Sequence, residues 1–144
     1  MPQQNYPGVP DRVKAVICDS IVMIGFMFAA TYTFAQFETV PDDARIIAFI
    51  FIFGLYDPIF TSLFGGTIGH FLIGIRVKRE RKPEKNIIFP FALIRFVVKA
   101  TLGWISLLTV SNNLKRKAIH DHMIGSLVIY SDPNEQENRE KVDN

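Results

Sequence analysis

Hydrophobic residues in this chain gather into three long blocks, and charged residues into the connectors between them. The first block, "VICDSIVMIGFMFAATYTFAQF", residues 16 to 37, has Cys18, Asp19 and Tyr32 as its only ionisable groups. A helix of that length rises about 30 Å, the thickness of a bilayer core. It is too long for the apolar region of a cleavable signal peptide, so it predicts a permanent span. Residues 46 to 64, "IIAFIFIFGLYDPIFTSLF", predict a second span with Asp57 and Pro58 inside it. The proline has no amide proton and frees the carbonyl of Gly54, which predicts a bend. The third block, "IIFPFALIRFVVKATLGWISLLTV", residues 87 to 110, admits three forms. It can cross once, turn back as a re-entrant hairpin near Gly103, or lie partly in the interface with Arg95 and Lys99 reaching for headgroups.

The connectors set the orientation. Residues 38 to 45 are acidic, with Glu38, Asp42 and Asp43 against Arg45. Residues 65 to 85 carry Arg76, Lys78, Arg79, Arg81, Lys82 and Lys85. The excess of basic residues places that segment in the cytoplasm, and the N-terminus with it, where Arg12 and Lys14 agree. A single crossing by the third block would put "LKRK", residues 114 to 117, outside, against the same rule. A return to the cytoplasmic side is therefore expected, with the C-terminus there too. An internal echo points the same way: "HFLIGIRV", 70 to 77, resembles "HMIGSLVI", 122 to 129. The strand-like pieces "IRV" and "SLVIY" can pair as a surface ribbon only if they share a side. The expected fold class is thus an all-α membrane protein, with short interfacial helices and a small β-ribbon. The polar arm, 1 to 11, and the polar tail, 131 to 144, are expected to be disordered.

Composition narrows the function. At 144 residues, 49% of them hydrophobic, the chain suits one domain, 12 to 130. The single Cys18 excludes an intrachain disulfide and reads as a buried small hydrophobe. A net charge of +2 is too small to suggest nucleic acid. No nucleophile–base pair or carboxylate dyad stands out, and Ser106, Ser111 and Ser126 lack partners in the sequence, so no enzyme activity, catalytic residue or cofactor is expected.

Each charge in a bilayer core costs on the order of 2.5–3.5 kcal/mol, so Asp19, Asp57, Arg95 and Lys99 each need a reason. By helix rise, Asp19, Asp57 and Arg95 fall at comparable depth in the cytoplasmic half. Arg95 and Lys99 share a helix face. Two acids and two bases sum to zero. They read either as a buried ion-pair network that fixes helix packing or as a polar pathway for an ion.

"GGTIGHFLIGIRV", 65 to 77, is not a phosphate loop, because it lacks the P-loop spacing and a preceding strand. Gly65, Gly66 and Gly69 suit close backbone approach in a surface turn. Residues 67 to 73 then form a short in-plane helix, with Ile68, Phe71 and Leu72 toward lipid. These features together resemble the RDD membrane proteins. That family shows an Arg at the start of the first span, an Asp within it and a later Asp. Arg12 in "DRVKA", Asp19 in "VICDSI" and Asp121 in "AIHDHMIGSLVIY" match. Gly65, Thr67, Gly69, Gly74 and Val77 match its glycine-rich run, with His70 standing where a Lys is usual. Arg95 and "KRKAIHD" also fit. The resemblance covers roughly residues 11 to 130. It implies a multi-pass protein of the cell (inner) membrane, with a suggested role in cation–proton transport.

A chain this small would need to self-associate as a homo-oligomer to enclose a pathway, and Gly25, Ala29 and Ala30 offer a close-approach face. The other reading is a membrane scaffold or accessory protein that binds anionic lipid or a protein partner through Arg76 to Lys85, at about 1 kcal/mol per basic residue. "AIHDHMIG", 118 to 125, is a weak metal signal, because His120 and His122 leave a helix on different faces. No metal is expected. Asp121 is instead expected to hold Arg12 or Arg116, or to cap the helix ending near Gly125, with both histidines at the interface.

Overall fold

A computed structural model describes residues 6–103, 105–112 and 114–131. The tail 132–144 and residues 1–5, both expected to be disordered, lie outside the described residues. Helix α1 runs Val9–Phe34, with Pro10 in its first turn, where a missing amide proton leaves no bond unmade. Residues 9–11 of the expected arm are therefore helical. Pro7 is fully buried. Asp11 accepts a hydrogen bond from the Tyr130 hydroxyl.

The inward face of α1 is polar. Its buried residues are Asp11, Arg12, Ala15 and Asp19, whereas Ile17, Ile21, Ile24 and Phe28 are exposed. An apolar exterior around a polar interior is what a lipid solvent selects. Cys18 is half-buried rather than buried.

The second span, Asp42–Phe64, joins α2 (Asp42–Ile50), a π turn (Phe51–Leu55) and α3 (Tyr56–Phe64). The π turn is how the helix takes up Pro58. One extra residue per turn relieves the contact between the proline ring and the Gly54 carbonyl, so the expected bend becomes a bulge within one continuous span. Gly65, at φ 80°, ends the span in the left-handed region.

Two similar units then frame the rest. In the first, α4 (Ile68–Ile73) leads through Gly74 into β1 (Ile75–Arg79). In the second, α7 (Ile119–Ile124) leads through Gly125 into β2 (Ser126–Tyr130). Both glycines sit at positive φ, 78° and 64°. The strands pair antiparallel, with Val77 opposite Val128 and Ile75 opposite Tyr130. The sequence echo is thus a structural repeat, but the glycines set its register. They align His70 with Asp121, not with His122. Ala15, Ile75, Val77, Ile87, Ala92, Val128 and Tyr130 form a small core between ribbon and helices.

The third block forms α5 (Phe89–Leu102) and α6 (Ile105–Leu108), the latter extended by a 3-10 turn (Thr109–Asn112). The axes of Phe89–Leu102 and Ile105–Asn112 differ by 101°, about Gly103 at φ 48°. Both ends of the block are tied to the ribbon. Arg79 Nε donates to the Asn86 carbonyl at 2.9 Å, and Lys117 Nζ to Glu80 at 2.7 Å. The block therefore leaves and returns on the face that carries the ribbon. Fold class is as the sequence suggested: among the described residues, two helices long and apolar enough to span, a bent apolar pair, and a two-stranded sheet.

Candidate functional site

The sequence-predicted charges converge beneath the ribbon, though not in the expected grouping. Arg12 Nη1 donates to Asp121 Oδ2 at 2.6 Å, and Arg12 Nη2 to the Arg116 carbonyl at 2.8 Å. Arg95 Nε donates to Asp121 Oδ1 at 3.1 Å. Arg95 Nη1 lies 3.7 Å from Asp57 Oδ1, a Coulombic contact too long for a hydrogen bond. Lys99 Nζ closes on Asp57 Oδ2 at 2.8 Å. Arg12, Asp121, Arg95, Asp57 and Lys99 thus alternate in sign along one continuous chain, contributed by α1, α7, α5 and α3.

Exposure varies along it. The Asp121 side chain is 0% exposed, that of Arg95 2%, and that of Lys99 26%. Asp121 also accepts from the Ser126 hydroxyl and the Ala118 amide, so it caps its own helix while holding two arginines. Burial pushes its carboxyl up, but Arg12 and Arg95 outweigh burial and hold it well below the usual carboxylate range. Of the expected alternatives for Asp121, Arg12 and the cap are right. The Arg116 side chain reaches Tyr6 instead. Sequence reasoning missed the Asp121–Arg95 pair, because α7 meets α5 only through the bend within the third block.

Asp19 stands apart from the ion pairs. The expectation that it shares the Asp57, Arg95 and Lys99 network is corrected here. Its Oδ1 accepts from Tyr56 Oη at 2.9 Å and the Gly69 amide at 2.8 Å. Its Oδ2 lies 2.6 Å from Thr67 Oγ1. The glycine-rich run is therefore the receptor for Asp19. Gly69 has to be glycine, since a Cβ there would fall 2.2 Å from the Ala15 carbonyl oxygen. A Cβ at Gly65 would fall 2.7 Å from Asn86 Oδ1.

Thr67 and His70 form a capping box on α4, with the His70 ring accepting the Thr67 amide. A lysine ammonium has no lone pair and could not do this. Leu72 is exposed as expected, while Phe71 lies beneath the Arg76 guanidinium, 3.9 Å from ring centre.

The His-Asp-His triplet is also corrected. His122 is exposed, but His120 is buried rather than interfacial, with Nδ1 2.6 Å from Ser106 Oγ. Burial, above all, lowers its imidazole to about 3. Ser106 is itself fully buried and stands fourteen positions away, so no local pattern in the sequence could have shown the pair. Among the described residues, no three His, Cys, Asp or Glu side chains group as a metal site.

The helices, glycine-rich turn and Arg–Asp pairing are features of one kind of membrane protein, and residues 6–125 match the family described as the RDD family. The chain belongs to the RDD family. No curated protein matches it, and no solved structure does. In this RDD protein the match takes in every described helix and β1, and it stops at Gly125, one residue before β2. All of Arg12, Asp19, Asp57, Gly65, Thr67, Gly69, Gly74, Arg95, Lys99 and Asp121 fall within it.

Proposed function

We propose that this RDD protein exchanges a monovalent cation for a proton across the cell membrane, as an assembly of several chains. The observation that carries this reading is the uneven closure of the charge chain. Arg12, Asp121 and Arg95 form a sealed half, short in distance and fully buried. Asp57 belongs to the other half. Its contact with Arg95 is long, and its main partner, Lys99, is partly exposed. Asp57 is thus the carboxylate that can release Lys99 and accept a cation in its place. A hydroxyl already stands beside it, Thr61 Oγ1, at 3.1 Å from Asp57 Oδ1. The basic excess of 76 to 85 supports an orientation with the ribbon and both termini on the cytoplasmic side. Among the described residues nothing lies within 4 Å of where a Cβ on Gly25 would fall, which leaves that face of α1 for a second copy.

Reconstitution into liposomes tests the proposal. A proton flux that depends on external Na⁺ or K⁺ is expected, and Asp57→Asn should abolish it while the protein stays folded. Flux that survives Asp57→Asn rules the reading out. A second reading, a scaffold on anionic lipid, is favoured by the exposure of Arg81, Lys82 and Lys85 beside the ribbon. Binding of added anionic lipid that is lost on neutralising those three, in a protein with no cation-dependent flux, would select it.

A further inference from the structure

Between the end of the ribbon and the start of α5 lies a cleft of about 490 Å³. That volume falls within the range of small-molecule sites, about 300–1,000 Å³. Its two walls differ in kind. One is apolar, with Ile88, Phe91 and Ile124; the other carries Arg79, Glu80 and Arg81. Ile88, Phe91 and Ile94 are exposed at three-residue spacing, so the apolar wall runs on into the exposed face of α5. The cleft thus opens at its apolar end toward the bilayer.

Its charge is not balanced from within. Glu80, the acid among the lining residues, is already engaged: Lys115 Nζ donates to its Oε1 at 2.8 Å and Lys117 Nζ to its Oε2 at 2.7 Å. Those two hydrogen bonds, above all, lower its carboxyl to about 2. Arg79 Nε donates to the Asn86 carbonyl at 2.9 Å, and Asn86 Nδ2 to the Leu63 carbonyl at 2.9 Å, so the guanidinium is anchored to the end of the second span. Among the described residues its other N–H groups have no partner, and the Arg81 side chain has none. The turn that carries Arg81 is closed on itself, by the Arg79 amide to the Lys85 carbonyl at 3.2 Å and the Lys82 amide to the Arg79 carbonyl at 3.3 Å. Two guanidiniums, one of them fixed in place, therefore stand uncompensated above an apolar wall.

We propose that this cleft binds one anionic phospholipid from the surrounding leaflet, with its phosphate on Arg79 and Arg81 and the upper part of an acyl chain along Ile88, Phe91 and Ile124. The planar guanidinium fork matches the oxygens of a phosphate. A soluble phosphate would leave the apolar wall uncovered, and a neutral apolar ligand would leave the guanidiniums unpaired; an anionic lipid answers both. Seated there, it ties the end of β1 to α5 and to the end of α7. Lys82 and Lys85, which the scaffold reading uses, do not line the cleft. The site goes beyond both readings above, since it requires neither cation exchange nor a scaffold.

Native mass spectrometry of the full chain, released from detergent with added phosphatidylglycerol or phosphatidylcholine, tests the site. One phosphatidylglycerol retained per chain is expected, in preference to phosphatidylcholine. Arg81→Gln should weaken that binding about fivefold, and Arg79→Gln at least as much. Arg81 makes no bond within the described fold, so its variant reads binding rather than folding. Phe91→Ser, at an exposed position, should weaken retention too, whereas Lys82→Gln with Lys85→Gln should leave it unchanged. Equal retention of the two lipids, or displacement of the lipid by an equal concentration of inorganic phosphate, overturns the proposal. Loss on the paired lysine change but not on Arg81→Gln also overturns it, while leaving the scaffold reading standing. Retention that survives the lysine change and falls with Arg81→Gln upholds the cleft, whatever becomes of cation-dependent flux.

Discussion

Asp121→Asn is the most informative single change. The carboxylate takes four donors: Arg12 Nη1 at 2.6 Å, Ser126 Oγ at 2.9 Å, Arg95 Nε at 3.1 Å and the Ala118 amide at 3.4 Å. The amide keeps the shape and one acceptor oxygen, but it turns an NH2 toward a guanidinium. It also strands Arg12 and leaves Arg95 only its longer contact to Asp57, and both guanidiniums are almost wholly covered. Removing one member of a buried ion pair costs about 3–5 kcal/mol, mostly as the charge left behind. Against a total stability of about 5–15 kcal/mol, that is enough to deplete the folded state. Chemical unfolding in detergent, followed by tryptophan fluorescence and size-exclusion chromatography, reads the loss. Adding Arg12→Met removes one stranded cation. The double variant should then be more stable than Asp121→Asn alone, with a coupling of about 0.5–3 kcal/mol. A double variant no more stable than the single would refute the claim that charge, not shape, makes Asp121 indispensable.

Two further outcomes follow from the same geometry. Gly69→Ala forces a methyl against the Ala15 backbone carbonyl, so α4 has to separate from α1; a loss of about 1–3 kcal/mol in the same unfolding assay is expected, and wild-type stability would contradict the close packing. His120, lowered to about 3 from an ordinary 6.5, contributes stability above pH 6.5 that drains away as pH falls toward 3, because the unfolded chain binds the proton the folded one refuses. Replacing it as His120→Gln should lessen the acid slope of melting temperature against pH, leaving the parallel contributions of His70 and of the Asp121 and Glu80 carboxylates, and an unchanged acid slope would disprove it.

The fold was legible because lipid imposes long apolar runs, and because the basic connector and the repeated glycines mark one face. Arg12, Asp19 and Asp121 were legible as motif positions. Their partners were harder. Depth along a helix placed Asp19 beside Asp57 and Arg95, but depth says nothing of azimuth. Asp19 faces the α4 turn, so it met Thr67 and Gly69 rather than a cation. Arg95 found Asp121 because a bend at Gly103 folds the third block back, and the angle of such a bend is not written in hydropathy. His120 looked interfacial because it is polar and near the surface. A serine on α6, fourteen residues upstream, gives it a buried partner.

The distance in sequence between Arg12 and Asp121 has a consequence for how the protein is made. They are 109 positions apart. At about 5–20 residues per second, a ribosome reaches the aspartate some 5–20 s after the arginine. Throughout that interval both spans can insert, yet the arginine stays without its counter-ion. A chain cut short between residues 64 and 121 holds both spans with Arg12 lacking its aspartate. The counter-ion of the first helix is thus made only after the third apolar block, which makes closing of the charge chain a late step that follows insertion of the spans.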